Sequence, residues 1–441
     1  MKPNPEITLQ AYRPAVCSDR PGTVHLLVRL TAPWMQNPKK PRLNLGLSID
    51  RSGSMGGQPI ECAREAAAYL VRRLDPSDRI SVVTFGTSVD VLTPCREVGQ
   101  PQDMIRRLQE IEVEGFTALH QGWLEACYQV ERGLDDQRIN RVILLSDGQA
   151  NEGLVDPLRI EAQVSEWERQ GITTTTVGLG LDYNEDLLAA MARAGNGNFY
   201  HVQNAADIEA YFGLELQGLT RTFGRSVSLG IEALNGVEVL RVLNPVDRTP
   251  RGRLKLSDLV HGKPLEVVLE LLVPAQKEVQ DLCRFRLAWT DVANGMRLHT
   301  HSNFCLPVVP HGQLSEFPVC VEVLQKRAVQ LAGQTLKEAV AAIDRKDYPV
   351  AQVHLQSGLD SLAEAQPSAE LQDLQAKLEK LMHSLKSGAY TSVRKEAVSS
   401  SQSIGSCSIT LNPGLKAFLA LPPEQRDPKK LMEILGLPPQ S

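Results

Sequence analysis

Five side chains carry the chemistry open to this sequence, and they fall in three short stretches. In Leu43–Met55, Leu-Asn-Leu-Gly-Leu-Ser-Ile-Asp-Arg-Ser-Gly-Ser-Met, an apolar run stops at Asp50, and Ser52 and Ser54 follow at every second position. In Gly115-Phe116-Thr117-Ala118-Leu119 a hydroxyl sits just after a glycine, where a helical stretch opens. Asn140–Gly148, Asn-Arg-Val-Ile-Leu-Leu-Ser-Asp-Gly, is a second apolar run, and it ends in Asp147. Hydroxyl and carboxylate oxygens converging at one point suit a small hard cation such as Mg2+, with Mn2+ or Ca2+ as alternatives. Taken alone, the first stretch also reads as a Ser/Gly turn in which Asp50 caps a helix.

The elements that must position these groups are legible from hydrophobic patterning. Leu43–Ile49 leaves neither face charged and reads as a buried strand. Pro59 to Leu74 has helical spacing, so Asp50, Ser52 and Ser54 lie on a strand-to-helix loop. In an open parallel sheet that is the carboxyl edge of a strand, where ligands bind. From residue 42 to 220 the pattern predicts strands at 43–49, 79–85, 88–92, 140–146, 172–179 and 198–202. Helices are expected near 59–74, 101–110, 117–132, 157–170, 185–194 and 205–220. The short turn at Gly86-Thr87 makes one edge antiparallel. The remaining order implies right-handed crossovers and a doubly wound α/β sheet.

Asp-x-Ser-x-Ser, then a Thr, then Ser-Asp-Gly, in this order, resembles the metal-ion-dependent adhesion site of the von Willebrand factor A family. The resemblance spans roughly residues 42 to 220 and fills all five positions: Asp50, Ser52, Ser54, Thr117 and Asp147. It implies a Rossmann-like fold of bacterial, intracellular type, with the cation held directly by Ser52 and Ser54. Thr117 would be a direct ligand in the binding-competent state, while Asp50 and Asp147 act through waters and hydrogen bonds. Neutral hydroxyls nearest the ion leave it a strong electrophile. An Asp or Glu of a partner protein then completes the octahedron at about 2.1 Å. The resemblance thus implies binding rather than turnover. Intracellular relatives act with AAA+ ATPases, protein kinases or phosphatases as adaptor, scaffold or regulatory subunits. Gly56-Gly57 stands where integrin β-type domains carry acidic residues, so a second adjacent metal is not expected. Phe116 stands where glycine is common; an exposed ring there would add an apolar contact beside the metal, but the expectation is that it packs under the loop.

Other chemistries fit less well. Asp50 could be the nucleophile of an aspartate-dependent phosphatase, but Ser52 stands where the acid/base carboxylate belongs. Ser52–Gly56 resembles a degenerate nucleophile elbow, with His120 and His201 as the nearest candidate bases. Gly53–Gly57 lacks the lysine of a phosphate-binding loop. Glu112/Glu114 and Asp135/Asp136 read as solvated faces. A non-enzymatic rival keeps the metal as a structural stiffener and assigns partner binding to the helical C-terminal region.

The rest of the chain is organised around this centre. Residues 1–41 hold two strand-like runs, Glu6–Tyr12 and Thr23–Leu30, followed by the Pro-rich stretch Pro33–Pro41. Residues 221–312 alternate in short runs, as in an antiparallel β-sandwich. Two strands cannot stand alone, so those of 1–41 are expected to complete this sandwich, making residues 42–220 an insertion. Residues 320–388 read as a helical bundle, with a coiled-coil-like seam at Leu371, Leu374, Leu378, Leu381 and Leu385. Residues 389–441 read as a flexible linker, Ser392–Thr410, and a tail that either folds back or docks on a partner. A net charge of −5 over 441 residues gives no reason to expect nucleic acid as the main partner. No run approaches the roughly 18 apolar residues of a membrane span, and Met1–Glu6 lacks an apolar signal region. Eight unpaired-looking cysteines point to a reducing, cytoplasmic setting. Cys62 and Cys127 read as small core hydrophobes on helices.

Overall fold

The computed structural model describes residues 4–33, 40–180, 182–202 and 204–405, and in the tail residues 418, 419, 421, 427, 430 and 434. The chain forms two compact units: 1–37 with 223–291 and 296–408, and 38–222 with 292–295 and 409–441. Most of the expected Pro33–Pro41 connection, residues 34–39, lies outside the described residues.

In chain order, β1 (Glu6–Ala11), β2 (Val16–Cys17) and β3 (Gly22–Thr31) belong to the first unit. The second unit then supplies β4 (Arg42–Asp50), α1 (Gln58–Arg73), β5 (Arg79–Phe85), β6 (Val89–Glu97), α2 (Gln102–Gln109) and α3 (Leu119–Arg132). It continues with β7 (Arg138–Ser146), α4 (Pro157–Arg169), β8 (Ile172–Leu179), α5 (Glu185–Ala194), β9 (Asn196–Val202) and α6 (Ile208–Thr220). Its six-stranded sheet runs β6-β5-β4-β7-β8-β9. Only β6 is antiparallel to its neighbour, because the Gly86-Thr87 turn is too short for a crossover.

The alternation within β4 decides where the chemistry sits. Leu43, Leu45, Leu47 and Ile49 face a core built from Ala63, Ala66, Ala67 and Leu70 of α1 and Phe212 and Leu216 of α6. Asn44, Gly46, Ser48 and Asp50 take the opposite face, where small residues let α3 lie directly on the strand. A Cβ at Gly46 would meet Val130 Cγ2 at 2.7 Å and the Ala126 carbonyl at 3.0 Å. Asp50 therefore ends β4 on the α3 side, toward the loop that starts α3. That second core layer is filled by Val83, Phe85, Trp123, Val130, Val142 and Leu144. At Arg141 of β7 a buried ion pair reaches Glu215 of α6, 2.7 Å from nitrogen to oxygen. Thr175, Asn198 and Tyr200 supply further hydrogen bonds to the same carboxylate.

The first unit resumes with β10 (Thr222–Ala233), β11 (Glu238–Val242), β12 (Leu254–Lys255), β13 (Leu259–Val260), β14 (Leu265–Val273), β15 (Asp281–Asp291), β16 (Arg297–Cys305) and β17 (Val308–Val309). One antiparallel sheet runs β1-β3-β14-β11 and the other β12-β10-β15-β16, with β13 on β10. The register of β3 on β14, from Leu30 opposite Leu265 to Gly22 opposite Val273, joins strands separated by the whole α/β segment. Leu26, Val28, Leu30, Val267 and Leu269 share one core with Leu229, Phe285, Leu287 and Trp289 of the other sheet.

Four helices complete this unit: α7 (Val321–Asp344), α8 (Tyr348–Ala363), α9 (Ala369–Lys386) and α10 (Tyr390–Gly405). Val323 and Leu331 of α7 pack on Leu27, Leu243 and Val268 of the first sheet. Lys326 bridges Glu266 and Glu370 across that junction. The seam residues Leu371, Leu374, Leu378, Leu381 and Leu385 are all buried in the bundle core.

One expectation is corrected here, and one open alternative is decided. In the expected linker Ser392–Thr410, the residues as far as Gly405 are helix α10 rather than a flexible connection, while residues 406–410 lie outside the described residues. Val393, Ala397 and Ser401 recur at every fourth position and are buried. One apolar residue in that row is small and one is a serine, so mean hydropathy conceals the helical period. Gly333 of α7 gives α10 its close approach, since a Cβ there would lie 2.8 Å from Ile404 Cγ2. In the tail, Phe418 is 5% exposed and belongs to the core of the α/β unit. Leu419 and Ile434 pack on that same core, while Leu415, Leu431 and Leu435 lie outside the described residues. Among the described residues the cysteines are free, and no helix is long and apolar enough to cross a membrane.

Candidate metal centre

Three loops at the carboxyl edge of the α/β sheet meet here: after β4, before α3 and after β7. The first two are laced like a short ladder. The Glu114 N–H donates to the Arg51 carbonyl at 2.6 Å, and the Gly53 N–H donates to the Gly115 carbonyl at 3.0 Å. Gly115 has φ +44, and a Cβ there would fall 2.0 Å from Thr87 Oγ1, so glycine is required for this crossing. The Phe116 N–H donates to that same hydroxyl at 3.0 Å. Asn151 binds the third loop to the second: its side-chain oxygen accepts from the Thr117 N–H at 2.9 Å. The Asn151 N–H donates back to the Thr117 carbonyl at 3.3 Å.

All five sequence-predicted residues lie on these loops. Asp50 is fully buried; Oδ1 accepts from the Ser52 N–H at 2.8 Å and Oδ2 accepts from the Ser146 hydroxyl. The Ser52 and Ser54 hydroxyls are 3.3 Å apart, and Ser54 donates to Asp147 Oδ1 at 2.8 Å. Thr117 joins the same cluster across Gly148. The position of a Cβ on Gly148 would be 3.2 Å from Thr117 Oγ1 and 3.6 Å from Ser54 Oγ. A side chain at 148 would wedge between these two hydroxyls.

The electrostatics are unbalanced. Burial pushes the Asp50 carboxyl up, against hydrogen bonds from Ser146 and Ser52. Burial, opposed by Ser54 and reinforced by the Asp50 charge, pushes Asp147 to about 6. Two buried carboxylates face each other and three hydroxyls, and among the described residues no basic side chain pairs with either. Arg51, adjacent in sequence, turns its guanidinium instead to Asp90, Glu114 and Ser88. A buried charge without a partner is costly. A small divalent cation among hard oxygens is the group this donor set fits. The donors are mostly hydroxyls, and among the described residues no group of three His, Cys, Asp or Glu residues forms a metal cluster.

Several neighbours were not foreseen. Ser146 and Asn151 brace the site through contacts between distant positions, although Ser146 stood in the Ser-Asp-Gly signature itself. Glu114 is not a merely solvated charge but half of the Arg51 clamp. Phe116 does not pack under its loop; it is 60% exposed, while its N–H donates to Thr87 Oγ1. His120 shares a hydrogen bond with Gln163 at 2.8 Å, and His201 with Tyr183 at 2.5 Å.

Comparison with known proteins bears on the same segment. Residues 44–213 match the von Willebrand factor type A domain. The chain is 28% identical over 238 residues to the uncharacterized protein sll0103 of Synechocystis, covering 54% of this chain and 56% of that protein. It is 26% identical over 308 residues to the uncharacterized protein YfbK of Escherichia coli, covering 67% of this chain and 53% of that one. The chain thus spans about half the length of the curated relatives it matches. Among solved structures, a von Willebrand factor type A protein from Catenulispora acidiphila is similar in fold. Its TM-score is 0.67 at 16% identity, covering 86% of this chain and 90% of that one.

Proposed function

The chain carries a von Willebrand factor type A domain, and from that premise we propose that it is a Mg2+-dependent protein-interaction module. In this reading it serves as an adaptor, scaffold or regulatory subunit whose site recognises an acidic side chain of a partner protein. The observation that carries the reading is the buried Asp50–Asp147 pair, facing three hydroxyls with no basic residue among the described ones to neutralise it. A bound Mg2+, with Mn2+ or Ca2+ as substitutes, supplies the missing positive charge and an affinity for one further carboxylate.

The chain's own residues do the rest. Ser52, Ser54 and Thr117 present oxygens, and Asp147 orients the Ser54 hydroxyl. Asp50, held by Ser146 and Ser52, fixes the turn that carries both serines. Braced loops keep this geometry in advance of binding, which lowers the ordering cost of association. The exposed Phe116 ring, next to Thr117, offers the partner an apolar contact. Binding rather than turnover suits a site in which both oxygens of Asp50 are already engaged. We read the two antiparallel sheets as one β-sandwich interrupted by the α/β domain, and place the protein in the cytoplasm. An AAA+ ATPase, a kinase or a phosphatase is the class of partner we propose.

The test compares pull-downs from lysate in Mg2+ and in EDTA, with wild type and Ser52→Ala as baits. The reading requires the same proteins to be released by EDTA and to be missing from the variant. Proteins retained in both conditions would move partner binding to α7–α10.

A further inference from the structure

The outer face of the β12-β10-β15-β16 sheet gathers positive charge that is only partly paired among the described residues. Phe285 and Leu287 of β15 point into the core, so Arg284 and Arg286 take the outer face. Register places His301 of β16 directly opposite Arg286, and Asn303 opposite Arg284. On its other side Arg286 faces Gly230 of β10, which contributes no side chain. The position of a Cβ on Gly230 would be 3.6 Å from Arg253 Cγ, 3.7 Å from Arg253 Nε and 3.7 Å from Arg286 Cβ. Two arginine stems therefore lie side by side in the space the glycine leaves open. Arg297 crosses the neighbouring part of the face, donating to Ser228 Oγ at 3.1 Å and to the Ser226 carbonyl.

Most of these cations have no counter-charge among the described residues. Arg284 has Glu232 at 3.4 Å. Among the described residues no carboxylate pairs with Arg253 or Arg286, and Nη1 of Arg286 is buried without an acceptor. Burial and then Arg286 and Arg251 hold Arg253 below its usual range. Burial, His299 and then Arg286 and Arg284 do the same to His301. Arginine cannot escape by losing its proton, and like charges facing each other across strands destabilise a sheet. An external anion removes the conflict.

We propose that this face binds a phosphate group, gripped by the guanidiniums of Arg253 and Arg286, with His301 beside them and Arg297 at the edge. Phosphate is favoured over a carboxylate because two planar forks present more donors than one carboxylate has lone pairs to satisfy in a bidentate way. The group comes either as the free ion or as a phosphomonoester on a polypeptide. Nothing in this site uses the metal centre, so either can fail without the other.

The experiment is calorimetric titration of the full chain, in phosphate-free buffer, with inorganic phosphate. A phosphoserine peptide and its unphosphorylated form follow. Saturable binding of phosphate or of the phosphopeptide, weakened about tenfold or more by Arg286→Gln and by Arg253→Gln, is expected. Lys386→Gln, an equal loss of charge on α9, should leave it intact. Without phosphate, Arg286→Gln should unfold at the same or a higher temperature than wild type, which a purely structural arginine would not. A phosphopeptide that binds more tightly than the ion identifies a phosphorylated protein as the source; equal or weaker binding identifies the ion. Absence of saturable binding, binding that survives Arg286→Gln, or equal weakening by Lys386→Gln would overturn the proposal.

Discussion

Replacing Asp147 by Asn should make the metal-free protein more stable while destroying its response to Mg2+. Asn keeps a side-chain oxygen for the Ser54 hydroxyl, which now reaches Asp147 Oδ1 at 2.8 Å, and removes only the charge. Asp147 is held at about 6, against an ordinary value near 3.9. At pH 8 that gap corresponds to about 3 kcal/mol lost by keeping the buried group ionised, and solvent screening at its accessible edge reduces this to about 2 kcal/mol. The sign follows from a raised carboxyl pKa. The penalty is full above pH 6, fades as pH falls through about 6, and is gone below the unfolded value. In EDTA at pH 8 the variant should therefore melt about 4–8 °C above wild type, and the difference should vanish by pH 4. With Mg2+ at about 100 times its Kd the wild type gains about 2.7 kcal/mol and the variant gains nothing, reversing the order. Thermal unfolding with and without EDTA reads both. A variant that is less stable in EDTA, or that still gains from Mg2+, would refute the reasoning.

Three further outcomes follow from the same geometry. Gly148→Ala places a methyl 3.2 Å from Thr117 Oγ1 and should weaken Mg2+ about tenfold in calorimetry, with the far-ultraviolet circular dichroism unchanged. Glu215→Gln strips the partner from buried Arg141 and should cost about 3–5 kcal/mol in urea unfolding. Burial raises the Glu215 carboxyl, but Arg141 outweighs it and holds the group below its usual range. The stabilisation in wild type is accordingly present above the unfolded pKa of about 4.3 and lost as pH falls below it. Phe418→Ala should lower stability by about 3 kcal/mol, because the ring is 5% exposed within the α/β core; an unchanged melting temperature would mean that the tail is not held there.

The α/β alternation was legible because its central strands β4, β5, β7 and β8 are buried on both faces and most of its helices are long and periodic. Leu43–Ile49 announces itself by composition, its alternate small and branched residues leaving neither face charged. The five oxygen-bearing residues were legible for a different reason: each stands at the end of such an element. What binds the loops together was not. Ser146 to Asp50, Asn151 to Thr117 and Glu114 to Arg51 are contacts between positions far apart in the chain, and no local pattern encodes them. Helix α10 was concealed because a buried face made from Val393, Ala397 and Ser401 carries too little hydrophobicity to register. Nor does any local pattern encode the basic face, where Gly230, Arg253, Arg286 and His301 meet only through strand register.

In the proposed function, Asp50, Ser52, Ser54, Thr117 and Asp147 hold one divalent cation with room for an outside carboxylate. The most direct measurement is calorimetric titration of Mg2+ into the EDTA-stripped chain, wild type beside Asp50→Ala. Saturable binding near one ion per chain is expected in the wild type and none in the variant. Absence of binding in the wild type, or identical binding in both, would contradict it and leave the five residues as a hydrogen-bonded loop junction.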